Sequence, residues 1–250
     1  MLDKKRDLEE DRNDVNDSLT IGQATATPSA DRKKNWPGIL TLIGGISLML
    51  YLGCFFLWGN ISIYVLSYFH EKSPNASYDF IFLVDSFLIL ANWLGYQMGT
   101  YLFQIRRWHP KIVISFGATL SLSGVYCSSL VTAIGPYLAF YCLMNGLGCG
   151  MCYMVPLICG WEWFPQSKGL VTGCTLGGYG FGSFIFSQVS TKLVNPDNRQ
   201  ADVTDPENPD ITFYGPEVAD RVPYMIQTLV YIWAGLAFIG VLLISRKEQP

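Results

Sequence analysis

Near residue 37 a polar N-terminal stretch gives way to long apolar runs, and only short polar connections and one longer one interrupt them. Six such runs cover about 38–66, 80–103, 112–132, 136–159, 170–192 and 222–244. A helix needs about 20 residues to cross the hydrocarbon of a bilayer, and each run reaches or approaches that length. The pattern predicts an all-α, polytopic membrane protein: a bundle of six transmembrane helices over 38–245, its outer surface against membrane lipids. A soluble catalytic domain has no use for so much continuous apolar surface.

Composition changes this picture only through where the charges fall. Half of the residues are hydrophobic and 15% are charged. The charges collect in the tail 1–37, the connections, the loop 193–221 and the end 246–250. A charged side chain in hydrocarbon costs several kcal/mol, so charges mark where the chain leaves the membrane. The first residues are too acidic for a transit peptide, and no apolar run follows soon enough for a signal peptide. They read as a disordered cytoplasmic tail.

With the N-terminus inside, thirteen Lys and Arg fall on the cytoplasmic side, among them Arg106, Arg107 and Lys168, and four on the other. That asymmetry predicts cytoplasmic N- and C-termini and an extracytoplasmic loop 193–221. The loop is expected to be solvated, with room for one short turn or helix. The plasma membrane or another secretory-route membrane is the expected location. Asn75 stands in a glycosylation sequon of the first outer loop, whereas the sequon at Asn16 is expected to face the cytoplasm and stay bare.

The seven cysteines all lie in or beside apolar runs, as small packing residues do. Cys149-x-x-Cys152 has no second Cys or His pair to complete a metal set. No Ser/His/acid arrangement emerges either. The sequence predicts no enzyme, no metal, no cofactor and no nucleic-acid partner.

Trp36, Trp108, Trp161, Trp163 and Phe164 fall near span ends, where amphipathic rings anchor at headgroups. Gly146, Gly148 and Gly150 in the fourth run, and Gly173, Gly177, Gly178 and Gly182 in the fifth, read as helix-packing positions that let backbones approach closely. Pro156 predicts a kink or break late in the fourth run. The spacing of Gly146-Leu-Gly148-Cys-Gly150 is not that of a phosphate-binding loop.

The run from Gly146 to Gly182 resembles the major facilitator superfamily, and most closely its oxalate/formate antiporter and monocarboxylate transporter branch. The matching residues are Gly146, Gly148, Gly150 and Pro156, then Trp163-Phe164-Pro165, Lys168-Gly169, Thr172, Gly173, Gly178, Gly180 and Gly182. Between the second and third runs, Gly95, Gly99, Arg106, Arg107 and Lys111 match a cytoplasmic motif of that family whose usual acid is absent, with Phe103 near its place. The resemblance implies the N-terminal six-helix half of a transporter, completed by a second bundle or a second copy of the chain. It also implies alternating access for a small solute, a monocarboxylate or dicarboxylate. A non-transporting membrane adaptor or scaffold is the alternative.

Polar residues within the runs are the substrate-path candidates: Asn60, Asp85, Asn92, Gln97, Asn145, Gln188 and Gln227. Each is equally able to tie one helix to another. No Lys or Arg falls in the middle of a run, so the chain itself offers an organic anion no central cation.

Overall fold

The computed structural model describes residues 35–72, 79–204 and 212–247. The tail up to residue 34 and the sequons at Asn16 and Asn75 lie outside them. The described residues form an all-α bundle of six long helices: α1 (Trp36–Lys72), α2 (Asp79–Ile105), α3 (Pro110–Ser128), α4 (Ile134–Trp163), α5 (Lys168–Val194) and α6 (Val222–Leu243). Five segments, those of α1 to α4 and the one ending in α6, are long and apolar enough to cross a membrane. Helix α5 is long enough too, but its glycines and polar residues dilute its apolarity. The molecule is a multi-pass integral membrane protein.

Local chemistry sets the helix ends. Pro110 opens α3, where a missing amide hydrogen costs nothing, and His109 Nδ1 caps the turn by accepting from the Lys111 amide at 3.3 Å. Helix α1 is longer than its apolar run because its last turn, through His70 and Lys72, leaves the hydrocarbon pattern without leaving the helix. A 3₁₀ stretch, Gly53–Leu57, interrupts it midway. Helix α4 continues through Pro156 to Trp163, and its irregular turn lies earlier, at Leu138–Met144. Of the kink or break expected at Pro156, the break is absent, since the helix runs on unbroken through that residue.

Glycine notches define which helices pair. A Cβ at Gly95 or Gly99 on α2 would strike the Leu147 or Met151 backbone of α4, and one at Gly150 would strike the Asn92 backbone in return. Gly146 packs on Ala91 and Leu88 of α2. Gly148 meets Gly117 and Ser121 of α3. Gly53 of α1 abuts Tyr179, Gly182 and Ser183 of α5, while Gly178 and Gly182 abut Ile46 and Leu50 of α1. Gly44 and Gly240 join α1 to α6. Helices in lipid gain little from hydrophobic burial against one another, so this backbone approach carries the association. Gly173 and Gly177 stand apart: an added Cβ would meet no heavy atom within 4 Å, so the packing role expected of them is not met inside this bundle.

The inner surface also holds a polar knot. Tyr51 of α1 donates to Ser121 Oγ of α3 at 2.6 Å, and Ser121 donates to Asn145 Oδ1 of α4 at 2.7 Å. Cys149 adds a thiol donor to the same oxygen at 3.2 Å. At the end where α4 and α6 finish, Arg246 pairs with Glu162 at 3.0 Å and lies over the Phe103 ring at 5.1 Å. Trp163 Nε1 donates to the Ser245 carbonyl at 2.9 Å, and Lys111 Nζ donates to the Leu242 carbonyl at 3.0 Å.

The loop 193–221 corrects the expectation of a merely solvated connection. Val203–Thr204 and Thr212–Phe213 pair as short antiparallel strands, Val203 opposite Phe213. Phe213 is 1% exposed and stacks on His70 of α1 at 4.1 Å. Tyr214 stacks on Tyr64 at 4.7 Å, and its amide donates to Ser67 Oγ at 3.0 Å. Burial pushes the Tyr214 hydroxyl up to about 12. Lys72 reaches Asp220 at 3.1 Å, and Arg199 pairs with Glu217. A buried Phe→Ala change costs about 3–5 kcal/mol. Phe213→Ala is expected to free the loop from α1. Limited proteolysis should then cut within residues 195–220 at least about tenfold faster, with the helical circular-dichroism signal retained. An unchanged cutting rate would mean that the loop is held elsewhere.

Candidate functional site

The 3₁₀ stretch in α1 presents Phe55 and Phe56 to one side of the bundle, where residues of α1, α2, α4 and α5 surround an open depression. Its volume is about 440 Å³, and it is lined by Phe55, Phe56, Ile89, Asn92, Trp93, Tyr96, Tyr153 and Tyr179. The rings form a continuous arc. Phe55 meets Phe56 at 5.6 Å, Phe56 meets Tyr179 at 5.1 Å, Tyr179 meets Tyr153 at 5.6 Å, and Tyr153 meets Tyr96 at 6.1 Å. Most of these contacts are edge-on, the arrangement that ring quadrupoles favour. Glycines make the arc feasible, because Gly53 and Gly182 bring α1 onto α5, and Gly95 and Gly150 bring α2 onto α4.

Chemically the wall is apolar rings with a few donors. Among the described residues no hydrogen bond engages the hydroxyls of Tyr96, Tyr153 or Tyr179, so they are available to a solute. The Asn92 amide makes one long bond, 3.5 Å, to the Gly146 carbonyl. None of the lining residues is Lys, Arg, His, Asp or Glu. Asp85 lies on α2 four residues before Ile89, seven before Asn92 and eleven before Tyr96, a spacing that keeps all four on one helix face. It is exposed, and no ion pair or hydrogen bond engages it among the described residues.

The other candidates scatter. Asn60 donates to the Ser187 carbonyl, Ser190 and Thr191 at 3.1–3.2 Å and so ties α1 to α5. Asn145 is buried in the knot with Tyr51 and Ser121. Gln227 reaches Ser129 at 3.2 Å, joining α6 to the end of α3. Gln97 is exposed on α2 outside the lining. Gln188 is exposed on α5, on the face of Gly177, Phe181 and Phe184, which lines a second hollow of about 440 Å³ with Gly180. Arg106, Arg107 and Lys168 are exposed at helix junctions, with Arg106 5.8 Å from the Tyr101 ring. Among the described residues, no group of three or more His, Cys, Asp or Glu is placed to hold a metal ion.

Of the seven polar candidates, then, only Asn92 lines the depression, and Asp85 extends its α2 face. The rings were not singled out as path residues. Their one sequence signal was the α2 series Ile89, Asn92 and Tyr96 at helical spacing, together with aromatic residues far from any span end. Glu162 was likewise missed, because an acid beside Trp163 reads as a span boundary.

No family model matches the chain. Among curated proteins, the apicoplast pyruvate carrier 1 of Toxoplasma gondii is 27% identical over 212 residues, 72% of this chain and 39% of its own length. The oxalate:formate antiporter of Oxalobacter formigenes is 33% identical over 92 residues, 37% of this chain and 22% of the antiporter. The monocarboxylate transporter 12 of Xenopus laevis is 25% identical over 161 residues, 60% of this chain and 34% of the transporter. Together with the six-helix bundle, these likenesses support membership of the MFS-type transporter superfamily at low identity. The relatives it matches are named as carriers, antiporters and transporters rather than enzymes, and the chain spans under two fifths of the length of each of these three.

Proposed function

We propose that this bundle is one half of a secondary transporter and that the ring-lined depression forms one wall of its solute passage. Alternating access would come from rocking against a second six-helix bundle, supplied by further chain or by a second copy. The observation that carries this reading is the depression itself, whose lining comes from four helices and joins rings to free hydroxyls. Such a wall replaces part of a solute's hydration without trapping it. The relatives' names point to small carboxylates as the solute class. A carboxylate here would take hydrogen bonds from Tyr96, Tyr153 and Tyr179, and its countercharge would come from the facing bundle. Both termini are assigned to the cytoplasmic side, in a plasma or other secretory-route membrane, because the basic residues concentrate there.

The test is uptake of a radiolabelled monocarboxylate into proteoliposomes that carry the protein purified from its own membrane. Saturable uptake, accelerated by a proton gradient or by a countersolute inside, is the expected result. Uptake no greater than that of empty liposomes across a panel of carboxylates would favour a non-transporting adaptor.

A further inference from the structure

Building on the transporter reading, we propose that the depression receives the apolar, ring-sized body of a monocarboxylate, and that Asp85 makes the same wall reject dicarboxylates. Size and composition carry the first half. A space of about 440 Å³ is far larger than a two-carbon acid, and five of its eight lining groups form one connected arc of rings. Ring faces and edges reward an aryl or branched apolar body, and they offer little to a small ion that is nearly all charge. Trp93, 58% exposed at the margin, adds a large face that no neighbouring side chain covers completely.

Charge carries the second half. The lining contains no cation, and the described Lys and Arg residues sit at helix ends and connections. The charge nearest to the α2 part of the lining in sequence is Asp85, about 6 Å along the helix axis from Ile89 at 1.5 Å per residue. A single carboxylate is able to turn away from it toward the tyrosine hydroxyls. A second carboxylate on the same body would have to stand either among the rings, unsolvated, or beside Asp85. In a site of reduced dielectric, two like charges some 6–8 Å apart disfavour binding by about a factor of ten or more. Asp85 is thus assigned as a specificity-determining residue that acts by repulsion.

Three probes separate these claims: acetate, phenylacetate and 4-carboxyphenylacetate, the last being phenylacetate with a second carboxylate at the far end of its ring. Binding of each would be measured by competition against radiolabelled phenylacetate on the full protein in nanodiscs, which needs no flux. Phenylacetate is expected to bind about thirtyfold more tightly than acetate, the gain from burying its ring. It should also bind about tenfold more tightly than 4-carboxyphenylacetate. Trp93→Ala, at an exposed position where folding tolerates the change, should weaken phenylacetate several-fold and narrow its lead over acetate. Asp85→Asn should close most of the gap between phenylacetate and 4-carboxyphenylacetate. Acetate binding as tightly as phenylacetate, 4-carboxyphenylacetate binding as tightly as phenylacetate, or no measurable phenylacetate binding would each overturn the proposal. Saturable carboxylate flux without these preferences would leave the transporter reading standing and sink this one. The preferences without flux would do the reverse.

Discussion

Gly182→Leu is expected to abolish the native bundle, whereas Gly177→Leu, five residues earlier on the same helix, leaves it folded. A Cβ at Gly182 would run into the Leu50 carbonyl and backbone of α1, and backbone cannot swing aside as a side-chain tip does. Overpacking of a yielding site costs about 1–3 kcal/mol, and here the helices must separate, so the loss is at least about 3 kcal/mol. It would also remove the α1–α5 contact through which Phe56 reaches Tyr179 at 5.1 Å. At Gly177 an added Cβ meets nothing within 4 Å. Size-exclusion profiles and thermal melting in one detergent compare the two. Equal behaviour would show that the α1–α5 approach does not hold the bundle together.

The second large effect is expected at Asn145. It is 1% exposed, and its side-chain oxygen accepts from both Ser121 and Cys149. Asn145→Ala would strand a hydroxyl and a thiol in the interior, and Ser121 would lose the acceptor that orients it toward Tyr51. Leaving a buried polar group unsatisfied costs about 1–3 kcal/mol, which lowers Tm by about 3–8 °C in a chain of this size. Gln97→Ala, at an exposed residue that no described side chain engages, should shift Tm by no more than about 1 °C. An unchanged Tm in Asn145→Ala would detach that residue from structure and return it to the solute path.

These contrasts show what the sequence could and could not reveal. The six apolar runs gave the six helices, because hydrocarbon thickness imposes a length that few other elements share. Glycine spacing pointed to close helix approach, but not to which face meets which helix. Gly178 and Gly182 turn toward α1, while Gly177 turns away. A membrane protein exposes apolar residues to lipid as readily as it buries them, so hydrophobic periodicity loses its power to separate core from surface. The same ambiguity hid the ring arc. Phe56, Tyr153 and Tyr179 look like any aromatic residues within spans until α1, α4 and α5 are assembled. Polar residues misled for the opposite reason. Asn60 and Asn145 stand in apolar runs because they fasten helices together, and only Asn92 faces the depression. The clasp of Phe213 on His70 escaped notice because a lone aromatic in a polar loop has no periodic neighbours.

The measurement that tests most directly whether the ring-lined wall is a solute passage is the accessibility of Tyr153→Cys to a membrane-impermeant thiol reagent. It would be made in sealed right-side-out and inside-out vesicles, in a background where the exposed Cys174 is replaced by Ser. Labelling from both sides, with the balance between them shifted by a transported carboxylate, is the result this account predicts. Labelling from neither side, together with ready reaction toward a lipid-soluble maleimide, would mean that the rings face hydrocarbon and that the passage lies elsewhere.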